Sequence, residues 1–559
     1  MMSLALAVLA WAVNGVLLAP IFFAVLIGVR RLSWIPAPWA ALAAGSGVAG
    51  CALVVFWAYF LSPALGVFLS VALVSGSAGL CWRSLRGSRP QPGGPGRSEV
   101  APVVLLACGA GLFYLGALYL CPAPQAYRAF SDRAANRFIS GLPSDNTIPF
   151  VLADSVYSGS CSRVLFGDWL TSDRPPLQSG WSLITRPVTD ALGLEPALSA
   201  GAAGIWMQVL WVAACYGLLR TIGLRPAGGA AAAGALTFTG FFLLNTLYVW
   251  PKLGAGALVC GAFCLVLLEP PGDPAVQRRR FALAGLWAGL GWMAHGGVAF
   301  ALLGLAPWAV SALIRRRAGP WVLAAAVFVL VCLPWSAFQR FYAPPGNRLV
   351  KWHLAGQVAV DSRGTWQTIR EAYSRVGLRG ALGNRLANLK TVVDGAWPDP
   401  RHPAADPGRE RADEFFFLVR ATGLWSAGAA ALVAAACLRR GRESLRAVRG
   451  VGLWSAATFA AWIALMFEAR SALVHQGSYT LPIALLCLAA AGLRLLGKVA
   501  FAGVAAAQAA FFAFVWLPPA TGFGSPGNPA ALAALVLGAA VPAAFILRDL
   551  AGWEDPANP

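Results

Sequence analysis

The chain has 559 residues, of which 58% are hydrophobic and only 12% charged. A soluble domain carries roughly 25% charged residues, so this composition excludes a water-facing globular protein of this length. The net charge of +20 would suggest nucleic acid in a soluble chain; here the arginines fall in short clusters between apolar runs, no basic module is present, and no nucleic-acid partner is expected.

The first apolar run, 4–28, has no basic segment before it and is followed by Arg30 and Arg31. It is too long for a signal-peptide core, so it is expected to be a retained helix with its N-terminus outside. Runs at 37–60, 64–82 and 101–121 complete an N-terminal membrane unit, 1–121. Arg83–Arg97 is basic and rich in Pro and Gly, which places it inside. A polar segment, 122–197, forms a first extracytoplasmic loop. Runs at 198–219, 228–249, 252–269, 281–294, 297–314 and 319–339 make a central unit, 198–339, and the polar segment 340–415 forms a second extracytoplasmic loop. Runs at 416–438, 451–467, 478–496, 499–517 and 529–547 form a C-terminal unit, 416–559, ending in a short tail. About 18 or more apolar residues suffice to cross a bilayer. The expectation is an all-α polytopic membrane protein, a bundle of about 13–15 transmembrane helices. Alternating the spans puts Arg220–Arg225, Arg278–Arg280, Arg315–Arg317 and Arg439–Arg449 on the same side as Arg83–Arg97, as the positive-inside rule requires. No internal repeat is visible. The 11 cysteines show no CxxC pair. Cys121 and Cys161 flank the first loop and are read as free thiols, although a disulfide between them would suit an oxidising compartment.

Candidate chemistry concentrates between Ser144 and Pro187. Asp145-Asn146 precedes an amphipathic stretch, 147–158, in which Ile148, Val151, Leu152, Ser155 and Val156 share a helical face and Pro149 falls in the first turn. Asp154 lies on that stretch. Phe166-Gly167-Asp168-Trp169 reads as a turn, and Asp173-Arg174-Pro175-Pro176-Leu177 leads back to the membrane. Structural readings stand beside these: Asp145 as a helix N-cap, Asp173 as a solvated partner of Arg174. Lys252 follows Tyr248 and Trp250 in an outside turn, where it serves either phosphate contact or interfacial anchoring. His295, at a turn at membrane depth, reads first as a packed histidine. His475, Gln476 and Tyr479 lie in a late outside segment. Arg348, Lys351 and His353 read as a solvated part of the second loop, without a role.

In order and spacing these motifs resemble the membrane-embedded GT-C glycosyltransferases that use polyprenyl-phosphate sugars, in particular the protein O-mannosyltransferase and lipid A aminoarabinose transferase branch. The resemblance is carried by Asp145-Asn146, Gly167-Asp168-Trp169 and Asp173-Arg174-Pro175-Pro176-Leu177, with similar turns at Tyr248–Lys252 and Gly289–Gly297 and a similar segment at His475–Pro482. It covers about residues 140–300 and that late segment. The chain departs from the pattern at Asn146, where the family has a second acid, at Gln178, where an aromatic often follows Pro-Pro-Leu, and at Arg174, where some members have Lys or His.

The resemblance implies a GT-C-type bundle that transfers a sugar from a polyprenyl-phosphate donor to a lipid, glycan or protein acceptor at the extracytoplasmic face, with inversion. It implies Asp145 as catalytic base, Asp173 as a second catalytic residue that orients the acceptor or binds a divalent ion, and Arg174 with Lys252 as the clamp on the leaving phosphate. Asn146, Asp154, Asp168, His295, His475, Gln476 and Tyr479 are the other cavity candidates. The motifs demand no cofactor; a divalent metal (Mg, Mn or Zn) is left open, with Asp145 and Asp173 as its ligands if one binds. A bacterial inner membrane, with the site facing the periplasm, is the expected location. Two competing readings remain. A transporter, flippase or polymerase-like protein would need charged residues in mid-span, and the spans are nearly free of charge. A non-catalytic relative would explain Asn146.

Overall fold

The computed structural model describes residues 3–87, 97–139, 142–268, 273–394, 407–437, 442–471 and 479–553. His475 and Gln476 lie outside the described residues. The helices in chain order are α1 (Leu4–Val29), α2 (Ala40–Leu61), α3 (Pro63–Gly87), α4 (Arg97–Tyr119), α5 (Phe130–Phe138), α6 (Ile148–Tyr157), α7 (Leu177–Ala191), α8 (Pro196–Gln208) and α9 (Leu210–Thr221). Then follow α10 (Pro226–Ala235), α11 (Gly240–Leu247), α12 (Lys252–Phe263), α13 (Pro274–Ala294), α14 (Ala299–Leu303), α15 (Ala306–Ile314) and α16 (Gly319–Ala337). The second loop carries α17 (Arg348–Ala355), α18 (Thr365–Asp394) and α19 (Pro407–Phe416); α20 (Ala427–Cys437), α21 (Arg442–Leu465), α22 (Thr480–Leu496), α23 (Lys498–Trp516) and α24 (Pro529–Ala551) complete the chain. A small hairpin, β1 (Val164–Phe166) and β2 (Trp169–Leu170), interrupts the helices. Prolines open α8, α10, α13, α15 and α24, where the missing N–H costs nothing.

The fold is that of an all-α polytopic membrane protein. Each apolar run of the sequence meets a helix. Among the described residues, 9 helices are long and apolar enough to cross a membrane, or up to 12 if each bent pair is one span. This is below the thirteen to fifteen expected. Three runs make the difference: Lys252–Leu268 and Thr480–Leu496 are shorter apolar helices, and α13 takes Arg278, Arg279 and Arg280 into its first half. α3 and α16 bury little of their apolar surface, as lipid-facing helices do.

Helices approach one another through small residues and a few buried polar contacts, the usual means of association where lipid removes the hydrophobic drive. α4 and α24 cross antiparallel, with Gly109 and Gly116 against Gly538 and Leu535. Inside the bundle, the Thr185 hydroxyl donates to Asn14 Oδ1 at 2.6 Å and Asn14 Nδ2 donates to Ser199 at 3.3 Å, joining α1, α7 and α8. α7 thus packs in the bundle although its sequence reads as loop. Its polar residues are spent internally, and Gly180 lies so close to α2 that a Cβ there would fall 2.0 Å from Ala52 O.

The contacts also sort the two ends. At one end Arg280 Nε donates to Trp34 O at 3.1 Å, Trp39 to Thr221 at 3.1 Å, and Arg220 to Glu99 at 3.0 Å. Arg494 pairs with Asp549 there. The turn Ser144–Thr147, the hairpin and α17 gather at the other end, where Arg348 meets Asp168 and Asp173 and Arg174 meets Asp145. Cys121 and Cys161 are both free thiols.

Candidate active site

The segment after α5 turns at Pro143 into a single 3-10 turn, Ser144–Thr147, which runs into α6. This turn buries Asp145 and Asn146. α6 packs Ile148, Pro149, Leu152, Ala153 and Val156 inward, close to the expected face. Asp145 is not the helix cap; Thr147 holds that position. Downstream, Gly167 takes φ +54° at the first position of the two-residue hairpin turn, the conformation that glycine supplies there. The hairpin returns the chain to a 3-10 turn, Thr171–Asp173, and Pro176 then leads into α7.

These two returns bring Asp145 and Arg174 together. Arg174 Nη2 donates to Asp145 Oδ2 in a buried ion pair, and Nη1 donates to its neighbour Asp173 O at 3.3 Å. Among the described residues, Asp145 Oδ1 and Arg174 Nε, both buried, have no hydrogen-bond partner. Asp173 is buried as well. Its Oδ2 accepts the Leu170 N–H at 2.9 Å and Arg348 Nη1 at 3.3 Å. Burial raises the Asp173 carboxyl above its ordinary range, against the pull of the Leu170 N–H and of Arg348 and Arg174. The solvated reading of Asp173 is therefore replaced by a buried, bonded carboxylate.

The second loop closes over this pair. Arg348, at the start of α17, is 5% exposed. It donates to Asp168 Oδ2 at 2.6 Å, Asp168 O at 2.7 Å and Val358 O at 2.9 Å in addition to Asp173. The Trp169 ring lies between two guanidinium groups, Arg348 at 4.5 Å and Arg174 at 5.1 Å from its centroid. Gln339 ties the same loop to Ser172 O at 3.0 Å. Arg348 is thus a buried neighbour of the site, not a solvated loop residue. His353, on the same helix, lies within electrostatic reach of Arg174 and Lys252. Burial, helped by those two cations, pushes its pKa down to about 4, so the imidazole is neutral at pH 7.

Lys252 opens α12 and is 1% exposed. Its ammonium sits 3.3 Å from the Trp250 ring centroid and 5.0 Å from that of Tyr479, and it lies within electrostatic reach of Asp145 and Arg174. A snorkelling surface lysine does not fit this burial. His295 terminates α13, and its Nδ1 accepts the Gly297 N–H at 2.9 Å; it lies within electrostatic reach of Lys252, Arg174 and His353. Tyr479 is buried against Phe241, 5.0 Å between rings.

Asp154 does not join them. It points out from α6 and pairs with Arg186 at 3.0 Å, which also binds Asp190 at 2.7 Å and stacks on Tyr157. Its position on the outer face of α6 gives it to this separate cluster. Asp145 faces a guanidinium and Asp173 is taken by an N–H and a second guanidinium, and among the described residues no group of three or more His, Cys, Asp or Glu is placed to hold an ion.

An apolar cavity of about 440 Å³ lies between α1, α2, α4 and α7 to α9, with Trp11, Phe22, Trp181 and Trp206 in its wall. Trp181 of that wall stands on α7, the helix that Arg174-Pro175-Pro176 leads into.

No family model and no curated protein matches this chain. Among solved structures, it is similar to ArnT from Cupriavidus metallidurans bound to undecaprenyl phosphate, at 13% identity and a TM-score of 0.40, over 77% of this chain and 76% of that one. The same protein in its apo state scores 0.30 at 13% identity, over 66% and 75%. An oligosaccharyltransferase from Archaeoglobus fulgidus, in the apo form, scores 0.34 at 15% identity, over 79% of this chain and 56% of that one. Likeness at this level fixes neither reaction nor substrate.

Proposed function

We propose that this protein is a membrane glycosyltransferase that moves a sugar from a polyprenyl-phosphate donor to an acceptor at the outer face of a bacterial inner membrane. The observation that carries the reading is the buried Asp145 carboxylate, with one oxygen held by Arg174 and the other without a hydrogen-bond partner among the described residues. The motif resemblance of the first loop points the same way.

Glycosyl transfer from a lipid phosphate needs a proton acceptor for the nucleophile and positive charge for the leaving group. Asp145 Oδ1 accepts the proton of the acceptor hydroxyl as its oxygen attacks the anomeric carbon. The bond from that carbon to the phosphate oxygen breaks, and the phosphate leaves with the electron pair. Attack opposite the phosphate inverts the anomeric centre. No acid is needed, because the departing phosphate is already an anion. Arg174 presents its Nε–H to that anion while Nη2 stays on Asp145, and Lys252 adds a second positive charge. Asp173 and Arg348 hold the Arg174 segment from behind. The apolar cavity beside Trp181 takes part of the hydrocarbon tail.

The test uses membranes containing wild type or Asp145→Asn, supplied with labelled polyprenyl-phosphate sugars. Asp145→Asn is expected to lower transfer by about 100-fold or more, the scale of a lost general base, at equal amounts of folded protein. Equal transfer by both would remove Asp145 from this role.

A further inference from the structure

Two of the three places where the first loop departs from the pattern it resembles, Asn146 and Gln178, act on one turn. Asn146 Nδ2 donates to Tyr248 O at 3.1 Å, and Gln178 Nε2 donates to Val249 O at 2.7 Å. The Tyr248 hydroxyl donates back to Pro143 O, two residues before Asp145. Val249, between these tethers, has φ +51°, a conformation that a β-branched residue adopts only when its surroundings enforce it. Three residues later comes Lys252.

The direction of this amide chain is fixed at both ends. The Gly254 N–H donates to Gln208 Oε1 at 3.1 Å, so Gln208 Nε2 is free to donate to Gln178 Oε1, at 3.4 Å. Gln178 Nε2 must then donate onward to the Val249 carbonyl. Only a side chain that both accepts and donates can stand at position 178, and only a donor suits position 146. Asn146 is 4%, Gln178 7% and Gln208 0% exposed, so a lost bond there is compensated by solvent only in part.

We propose that Asn146 and Gln178 are positioning residues for Lys252: they hold the strained Tyr248–Lys252 turn so that the Lys252 ammonium faces the Asp145–Arg174 pair. Asn146 is then a donor in its own right, not an acid that has been lost. A carboxylate at 146 would set negative charge against the Tyr248 carbonyl oxygen, and a carboxylate at 178 would do the same at Val249. This rests on the reading that Lys252 meets the donor phosphate, and the experiment separates the two.

The variants are Gln178→Glu and Asn146→Asp, each close in shape to the native residue, with the folded fraction followed by size-exclusion profile. The first readout is acylation of Lys252 by a small amine reagent in membranes, quantified by mass spectrometry against Lys252→Arg as blank. Both variants are expected to speed labelling by about tenfold or more, the scale of one buried hydrogen bond. The second readout is sugar transfer: KM for the polyprenyl-phosphate sugar rises by a similar factor with a smaller change in kcat. Unchanged labelling of Lys252 in both folded variants would overturn the proposal, as would equal KM. If labelling responds but wild type transfers no sugar from such a donor, the positioning role stands and the proposed function fails.

Discussion

At the scale of single residues, the site is a set of charges removed from water and arranged in pairs. Arg348 and Asp173 have side chains only 4% and 1% exposed. Removing one partner of such a pair leaves the other buried without compensation, which costs about 3–5 kcal/mol. Arg348→Ala is therefore expected to lower stability by about 3 kcal/mol. Asp168→Asn should cost less than about 1 kcal/mol, since Asp168 is 64% exposed and its pair lies at the surface. Denaturation midpoints of the two variants in detergent check the difference; equal shifts would refute the distinction. Asp145, Asp173 and Arg174 were legible in the sequence because each stands in a short motif of a single loop. Arg348 was not, because its contact with Asp173 spans 175 residues and nothing local separates it from the other arginines of the second loop. Asp154 misled because its acidic character, in the right segment, says nothing about which face of α6 it occupies.

At the scale of elements, the apolar runs announced helices but not how they meet. α7 is the instructive case. Its Gln, Ser, Thr and Arg residues read as loop, yet Ser179, Thr185 and Thr189 are fully buried and their hydroxyls bond to Pro149 O, Asn14 and Arg186 O. Polar content marks exposure only when the partners lie in water; here they lie on α6, on α1 and on α7 itself. The crossing of α4 and α24 depends on backbone contact. A Cβ on Gly116 would fall 2.4 Å from Leu535 N. Gly116→Ala should force the helices apart and cost about 1–3 kcal/mol, as overpacking does. Gly452→Ala on α21, where a Cβ meets nothing within 4 Å, should be neutral or slightly stabilising. Thermal unfolding of both variants tests this, and equal losses would show that the contact is not tight.

At the scale of the whole molecule, charge and chemistry separate to opposite ends. The turn after Arg30-Arg31 meets Arg280 through Trp34 O, and α13 runs parallel to α16, since Gly285 meets Ala324 and Gly289 meets Val331. Arg315–Arg317, just before α16, therefore lie at the end that holds Arg278–Arg280. This is the sidedness that the charge pattern alone had implied. The aqueous loops are left to build the site at the far end, and α7 carries its geometry into the bundle. The role of every residue in the site depends on where a lipid phosphate binds. The direct measurement is a structure of the protein in a lipid nanodisc loaded with polyprenyl phosphate. The phosphate is predicted to sit within hydrogen-bond distance of Arg174 Nε and the Lys252 ammonium, beside Asp145 Oδ1, with its tail entering the bundle past Trp181. A phosphate bound away from Arg174 and Lys252, or a continuous polar path from one face to the other, would contradict it.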